Sequence, residues 1–185
     1  MSSTPILRTS RTLLRPFADA DAPALLALLR DPEVTAFLPV FPLRTLEEAR
    51  AFMRRPGLFW AVCLHDAPVG YVHIGEAEPF DVGYALQKRF WGRGIAAEAA
   101  RAALDFFREC GAPYATATHD VNNPRSGAVM RKLGMTYRYT YREQWQPKNI
   151  PVLFRLYQLN LSDPQAATYA GYWQRYAEHF IEPGL

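Results

Sequence analysis

Residues that could bind a polyanion lie together in the stretch Gly83-Tyr84-Ala85-Leu86-Gln87-Lys88-Arg89-Phe90-Trp91-Gly92-Arg93-Gly94-Ile95-Ala96. The residues up to Leu86 predict a strand, and the apolar spacing after Gly94 predicts a helix. The first N–H groups of a helix and its dipole attract negative charge, and Gly92 and Gly94 carry no side chain to hinder a phosphate. The stretch therefore predicts a pyrophosphate-binding loop, although a tight turn that only begins a helix also explains Gly-Arg-Gly.

This loop differs from two common phosphate-binding motifs. No Gly-Lys-Ser/Thr follows it, and Ala97 stands where G-x-G-x-x-G requires its third glycine.

A second stretch, Asn123-Pro124-Arg125-Ser126, begins another predicted helix, which ends at Arg131-Lys132-Leu133-Gly134-Met135. Gly134 is typical of a residue that follows the end of a helix.

Together the two stretches resemble the GNAT acetyltransferase superfamily, and in particular its ribosomal-protein-alanine N-acetyltransferase-like branch. Gly94 and Ala96 match the family's Gln/Arg-x-x-Gly-x-Gly/Ala loop, while Trp91 replaces the Gln/Arg. Phe/Tyr-Trp-Gly-x-Gly is common in that branch. Leu14-Arg15-Pro16 and Gly83-Tyr84 match it as well, so the resemblance covers roughly residues 11–160.

The resemblance implies an α+β, three-layer GNAT fold. Its central sheet would be mixed, mostly antiparallel and flanked by helices. The sheet would splay between the fourth and fifth strands, here the strand that ends at Leu86 and the strand that begins at Tyr114. We expect one domain over residues 1–185, with a core at about 11–161 and an extra C-terminal helix at about 163–181.

The resemblance also implies acetyl-CoA as the co-substrate. Backbone amides from residues 92–96 would hold the pyrophosphate, namely those of Gly92, Arg93, Gly94, Ile95 and Ala96. Backbone near Leu86 and Gln87 would bind the pantetheine arm and polarise the thioester carbonyl, and Asn123 would bind the end of the pantetheine. Four basic side chains would meet the phosphates: Arg89, Arg93, Arg131 and Lys132.

The implied reaction is direct attack of a neutral amine on the thioester. Many family members protonate the departing thiolate with a Tyr, but Met130 stands at that position here and cannot donate a proton. Ser126 is then the best candidate, as the matching serine is in the ribosomal-protein branch. A helix-capping hydroxyl also explains Ser126.

The general base is open among several residues. Asp81 ranks first because relatives often place a carboxylate two residues before the Gly-Tyr pair, and His119, His73 and Glu76 follow. A neutral imidazole suits proton abstraction near pH 7. Each of these residues also has an ordinary structural explanation, and a water relay without a single essential base is a further alternative.

The net charge of +3 hides a contrast along the chain. Residues 61–85 carry four acids and no base, whereas residues 86–142 carry ten bases and four acids. The basic segment suits the phosphates of acetyl-CoA, and the acidic segment suits a cationic amine acceptor, either a peptide N-terminus or a small molecule. The aromatic residues from Tyr137 to Trp145 either line the acceptor cleft or pack in a core.

Other elements must position these residues. Alternating and helical patterns predict helices over about 19–30, 45–54, 94–109 and 123–132, and strands over about 13–17, 58–64, 69–74, 82–86, 114–118, 135–145 and 152–161. The last two strands are expected to form a hairpin across residues 146–149. The aromatic stripe after residue 163 is expected to pack on the sheet of the same chain, with a dimer contact or an acceptor lid as the alternative.

Composition excludes several classes of protein. Hydrophobic residues make up 49% of the 185, so a packed core is expected. Cys63 and Cys110 cannot form a disulfide framework or a cysteine zinc site, and we expect no metal. No apolar run approaches the roughly 20 residues that span a bilayer, and residues 1–5 lack the apolar core of a signal peptide. We therefore expect a cytoplasmic enzyme, monomeric or homodimeric, without a membrane partner.

Two other functions remain as alternatives. One is a non-catalytic module that binds acyl-CoA as a sensor, which Met130 favours. The other is a nucleic-acid-binding domain that uses the basic segment. No nucleic-acid-binding motif supports the second alternative, and no nucleic-acid partner is expected.

Overall fold

The computed structural model describes residues 4–185, so the first three residues of the N-terminal segment lie outside it. The strands are β1 (Leu7–Arg8), β2 (Leu13–Pro16), β3 (Leu58–Leu64), β4 (Ala67–Ile74), β5 (Val82–Leu86), β6 (Tyr114–Asp120), β7 (Thr136–Trp145), β8 (Ile150–Asn160) and β9 (His179–Phe180). The α-helices are α1 (Ala22–Arg30), α2 (Pro32–Thr35), α3 (Leu46–Met53), α4 (Ile95–Glu109), α5 (Pro124–Lys132) and α6 (Gly171–Arg175).

The strands form two antiparallel sheets. The first has the order β1-β2-β3-β4-β5 and the second has the order β6-β8-β7-β9. One parallel bridge, between Asp81 and Thr116, joins β6 to the residue before β5, and beyond it the two strands separate. The predicted splay is therefore confirmed. It lies between the fifth and sixth strands because the two-residue β1 was not predicted.

Helices cover both faces of the first sheet. α4 packs against the face that contains Trp60, Val72 and Leu86, and α5 closes the same core cluster through Met130. α1 and α3 cover the opposite face, where Leu28, Phe52 and Tyr71 are buried together. Strand β3 is almost wholly buried because helices lie on both sides of it, which explains its continuous apolar run.

Polar side chains fix the ends of the helices. Thr45 caps α3 by accepting the Glu48 N–H, and the Glu48 carboxylate accepts the Thr45 N–H, which completes a capping box. Arg15 at the end of β2 donates two hydrogen bonds to Asp21, at 2.6 and 2.8 Å, and so ties the first sheet to the start of α1. The Leu14-Arg15-Pro16 motif thus has a structural role in this chain.

One predicted helix is wrong in extent. The sequence predicts a helix over residues 163–181, but only α6 within that range is α-helical. The Gln158 side chain bonds the Tyr169 N–H at 2.9 Å and the Ala167 carbonyl at 3.0 Å, and Asn160 donates to the carbonyls of Pro164 and Ala166. These side chains from β8 use backbone groups that a helix would need, so residues 163–170 do not form a helix.

The aromatic stripe nevertheless packs on the sheet of the same chain, as the sequence predicts. Tyr141 on β7 stacks against Tyr172 and Tyr176 with ring centroids 4.8 and 5.0 Å apart, and Tyr139 meets Trp173 edge-on at 5.4 Å. Tyr139 and Tyr141 therefore belong to a third core cluster. Within residues 4–185 no helix is long and apolar enough to cross a membrane.

Candidate active site

The loop from Gly92 to Gly94 leaves its backbone open to solvent. Both glycines adopt left-handed φ angles, +74° and +75°, and α4 begins immediately afterwards at Ile95. A Cβ atom on Gly92 would meet no atom of residues 4–185 within 4 Å, and one on Gly94 would meet only the Arg11 Nη2 at 3.6 Å. The open space beside the helix N-terminus fits an anionic ligand such as a pyrophosphate.

The ion pair between Arg11 and Glu98 fixes the position of this loop. Arg11 donates from Nη1 to the Arg93 carbonyl at 2.9 Å and pairs with Glu98 on the first turn of α4 at 2.6 Å. Burial opposes ionisation of Glu98, but hydrogen bonds from Thr9, Arg11 and Ser10 outweigh it and lower its pKa to about 2. The N-terminal segment thereby fixes the glycine loop against the start of α4.

Trp91, which replaces the family's Gln/Arg, ties the loop to the end of β5. Its indole Nε1 donates to the Leu86 carbonyl at 2.7 Å, and the Arg125 guanidinium at the start of α5 lies 5.7 Å from its ring centroid. The aromatic side chain thus joins the glycine loop, β5 and α5 without occupying the open space beside the glycines. The departure from the motif leaves the backbone of the loop intact.

The edge of β5 offers one of the two predicted backbone groups. The Gln87 N–H donates to the Val69 carbonyl in β4 at 2.9 Å and is therefore occupied within the first sheet. Because successive residues of a strand direct their N–H groups to opposite edges, the Leu86 N–H points toward β6. Of the predicted pair, Leu86 is placed to bind a ligand in the gap between the two sheets.

The start of α5 closes the other side of this gap. Asn123 caps the helix through its Oδ1, which accepts the Ser126 N–H at 3.3 Å. The Tyr84 hydroxyl on β5 reaches across the gap, with its oxygen 3.0 Å from the Ser126 carbonyl and 3.1 Å from Ser126 Oγ. Ser126 is half-buried and faces the strand that the sequence predicts to bind acetyl-CoA.

The predicted basic side chains fall into two groups. Arg89 and Arg93 are exposed on either side of the glycine loop. Arg131 and Lys132 are exposed at the far end of α5, where Arg101 of α4 donates to the Lys132 carbonyl at 3.0 Å. Arg101 lies six residues beyond Ile95, about 9 Å along the helix. The second group is therefore more than one helical turn from the loop.

Asp81 lies where the two sheets meet. Its Oδ1 is buried and has no hydrogen-bond partner among the residues that the structure describes. Burial raises the pKa of Asp81 to about 7. Tyr84, Tyr141 and Tyr172 all have pKa values raised mainly by burial, and the Asp81 carboxylate adds to the shift of each. A carboxyl group that titrates near neutral pH suits general base catalysis.

The other base candidates lie in different environments, although His119 Nε2, like Asp81 Oδ1, is buried without a hydrogen-bond partner among the described residues. His119 is 3% exposed, its Nδ1 lies 2.8 Å from the Asp120 carbonyl, and a Cβ on Gly127 would stand 2.6 Å from its Nε2. Burial lowers the pKa of His119 and of His73, whose Nε2 lies 2.7 Å from the Pro56 carbonyl. Glu76 is exposed in the loop between β4 and β5. Asp81 is therefore the candidate whose environment best fits a base.

Comparison with known proteins identifies the family. The profile described as "Acetyltransferase (GNAT) domain" matches residues 11–136. The chain belongs to the GNAT acetyltransferase family. YkkB of Bacillus subtilis (strain 168) is 30% identical over 170 residues, which cover 80% of this chain and 94% of YkkB. The family identifies the chain as an acyltransferase enzyme, as the sequence motifs predict.

Solved GNAT structures share the fold. A GNAT acetyltransferase from Bacillus anthracis superposes with a TM-score of 0.77 at 22% identity and covers 86% of this chain and 100% of its own. RimL, a ribosomal L7/L12 α-N-protein acetyltransferase solved in complex with coenzyme A, superposes with a TM-score of 0.76 at 19% identity, covering 85% of this chain and 99% of its own. The predicted GNAT fold is confirmed.

Sequence reasoning missed four residues that this GNAT fold brings to the site. Tyr84 appeared only as part of a motif, and nothing predicted that Arg11, Arg125 or Arg101 would lie near the glycine loop or the end of α5. Their signal in the sequence is weak because each comes from a different segment, and only the fold brings these segments together. Within residues 4–185 no cluster of His, Cys, Asp and Glu could hold a metal ion.

Proposed function

We propose that this GNAT enzyme transfers an acetyl group from acetyl-CoA to a primary amine by direct attack in a ternary complex. The observation that carries the proposal is the glycine loop, whose left-handed glycines leave open space beside the N-terminus of α4. The gap between β5 and β6 continues from this loop. RimL, which has the same fold, was solved with coenzyme A, and this supports coenzyme A as the ligand.

In this proposal the loop holds the pyrophosphate through the amides of residues 92–96, and Arg89 and Arg93 add positive charge. The Leu86 N–H binds the thioester carbonyl or the pantetheine arm, and Asn123 binds the end of that arm. Arg131 and Lys132 remain candidates for a phosphate farther from the loop, beside Arg101. Carbonyl polarisation by a fixed N–H lowers the barrier because the donor is already oriented.

Two side chains carry the proton transfers in this proposal. Asp81 accepts a proton from the acceptor ammonium, which leaves a neutral amine to attack the thioester carbon. When the C–S bond breaks, its electron pair stays on sulfur, the Ser126 hydroxyl gives its proton to that sulfur, and the Ser126 oxygen takes the remaining proton of the attacking nitrogen. The buried Oδ1 of Asp81, with a carboxyl pKa of about 7, supports the first role, and the position of Ser126 across the gap from β5 supports the second.

The acceptor is a cationic amine, either a peptide N-terminus or a small molecule. The loop between β4 and β5 supports this class because Glu76, Glu78 and Asp81 lie in it without a basic residue. RimL and its Salmonella typhimurium counterpart are described as acting on ribosomal protein L7/L12, the latter on an N-terminal serine, which makes N-terminal peptides the first acceptors to test. A cytoplasmic location stays a prediction.

The test is an acetyl-transfer assay over a panel of N-terminal peptides, polyamines and aminoglycosides. The release of free thiol from acetyl-CoA measures the turnover of each amine. We expect turnover with at least one amine. Acetyl-CoA binding without turnover on any of them would favour the sensor alternative.

The glycine loop is tested with Gly94→Asp, which places a carboxylate in the open space. Aspartate tolerates a positive φ, so the fold should persist, while calorimetry should show the Kd for acetyl-CoA raised by about 100-fold or more. The matched control is Gly111→Asp at the other end of α4, where φ is +83° and a Cβ meets no described atom within 4 Å. An unchanged Kd in Gly94→Asp would contradict the assignment of the loop.

A further inference from the structure

Tyr84 makes a connection that the catalytic scheme above does not use. It stands in the middle of β5, on the face opposite to Gly83 and Ala85, and its hydroxyl crosses to the start of α5. Within residues 4–185 it is the only side chain of β5 that hydrogen-bonds to α5. Both of its contacts are to Ser126, one to the carbonyl oxygen at 3.0 Å and one to Oγ at 3.1 Å.

The chemistry of these groups fixes where the protons lie. A carbonyl oxygen only accepts, so the Tyr84 proton goes to the Ser126 carbonyl. The contact between the two hydroxyls then requires the Ser126 O–H to donate to Tyr84. Burial raises the pKa of Tyr84 above its ordinary value, so the phenol keeps its proton over the working pH range. Tyr84 therefore determines the direction of the Ser126 hydroxyl.

We propose that Tyr84 is a positioning residue that holds the Ser126 hydroxyl at the gap and supplies the hydrogen bond under which that hydroxyl donates to the leaving sulfur. The inference rests on the proposed function of Ser126. When sulfur gains the electron pair of the broken C–S bond, the Ser126 O–H turns from Tyr84 to the sulfur. The Tyr84 O–H turns at the same time from the carbonyl to Ser126 Oγ. The phenol keeps its proton throughout.

This exchange of hydrogen bonds strengthens the serine as a donor. A hydroxyl that accepts one hydrogen bond while it donates another is more polarised than an isolated one. No other side chain of α5 carries an O–H group that could donate to Ser126. Met130, which stands where many family members have a tyrosine, is 1% exposed in the core. A serine alone is a weak acid, so the second hydroxyl compensates for the tyrosine that many family members carry on this helix.

The test compares Tyr84→Phe, Ser126→Ala and the double variant in the acetyl-transfer assay. We expect Tyr84→Phe to lower kcat by about 10-fold, the typical effect of one lost hydrogen bond in a polarised site, with the Kd for acetyl-CoA unchanged. Because Tyr84 acts through Ser126, the phenylalanine should have no further effect on kcat in the Ser126→Ala background. Effects that multiply in the double variant would overturn the proposal.

The control separates positioning from general stability. Tyr139 also donates a hydrogen bond through its hydroxyl, to the Tyr169 carbonyl at 2.8 Å, but it lies in the third core cluster under the C-terminal segment. Tyr139→Phe should lower the Tm without changing kcat. An equal loss of kcat in both phenylalanine variants would overturn the role of Tyr84, as would an unchanged kcat in Tyr84→Phe. A wild type that binds acetyl-CoA but acetylates no amine would instead overturn the proposed function itself.

Discussion

At the residue scale, Asp81 shows how position changes the chemistry of a common side chain. An exposed aspartate is ionised at neutral pH and is a weak base. Asp81 stands at the junction of the two sheets, and burial raises its pKa from 3.8 to about 7. At that value the carboxylate is present near neutral pH and still basic enough to take a proton from an ammonium group.

Asp81→Asn removes this base and keeps the size of the side chain. We expect kcat to fall by about 100-fold or more. The wild-type rate should rise with pH around a midpoint near 7, since only the ionised carboxylate accepts a proton, and the variant should lose that dependence. Initial rates over pH 5–9 measure both effects. Asp66→Asn is the matched control because Asp66 is exposed in a turn with a φ of +66°.

The same substitution should change the stability in a pH-dependent way. Because the pKa of Asp81 is higher in the folded protein than in the unfolded chain, the folded state binds more protons between about pH 4 and pH 7. Ionisation of Asp81 therefore lowers the free energy of unfolding as the pH rises through this range. Asp81→Asn should raise the Tm at pH 8 but not at pH 4. A fall in Tm at pH 8 would contradict the buried position of the carboxylate.

At the element scale, the strand–loop–helix unit of β5 and α4 depends on a distant segment. Residues 9–11 contact Glu98, and Arg11 also holds the Arg93 carbonyl, so the N-terminal segment determines how the glycine loop meets the helix. The Arg11 side chain is about half exposed and that of Glu98 is 19% exposed, so water weakens the attraction between their charges. The stability that this contact adds therefore comes mainly from its hydrogen bonds.

Glu98→Gln tests this connection. The variant should lose about 1–2 kcal/mol of unfolding free energy at pH 7, because several hydrogen bonds lose their charged acceptor. The folded pKa of Glu98 is depressed to about 2 from 4.5, so the wild-type advantage should be present above pH 4.5 and disappear as the pH falls toward 2. Denaturant unfolding at pH 7 and pH 3 measures the difference. Glu109→Gln, exposed at the other end of α4, is the matched control and should leave the unfolding free energy at pH 7 unchanged.

At the scale of the whole molecule, the two sheets share one buried core cluster, and each sheet is also covered on its own. Helices α1, α3 and α4 cover the first sheet, while the C-terminal segment covers the far end of the second, around Tyr139 and Tyr141. Glu182 in that segment also pairs with Arg155 of β8 at 2.6 Å and accepts a hydrogen bond from Thr140. The shared cluster therefore joins the two sheets, and the separate cover of each sheet keeps it packed where the strands diverge.

Truncation of the C-terminal segment tests its role in the fold. A chain that ends at Ser162 loses the aromatic cover of Tyr139 and Tyr141, and we expect its unfolding free energy to fall by more than about 3 kcal/mol. A chain that ends at Glu182 lacks only three exposed residues and should unfold like the full chain. Thermal unfolding followed by circular dichroism compares the two. Equal Tm values would show that the segment is not part of the core.

Most helices and strands of the fold were predictable from the sequence because their patterns are local. The cap at Thr45, the glycines around α4 and the apolar run of β3 depend on neighbours along the chain. The C-terminal helix was overpredicted because the aromatic spacing of residues 169–180 is helical, whereas the side chains of Gln158 and Asn160 take over backbone hydrogen bonds of residues 164–169. A contact from another strand has no signal in a local pattern.

The sequence by itself indicated the family and predicted the phosphate-binding loop and the candidate residues, because glycine spacing and helix starts depend on backbone properties of a few adjacent residues. Only the tertiary structure decided which candidates meet. It buried His119 beneath Gly127, placed Asp81 at the junction of the sheets and brought Tyr84 to Ser126. Proton positions and pKa values depend on burial and on partners distant in the chain, and these arise only when the chain folds.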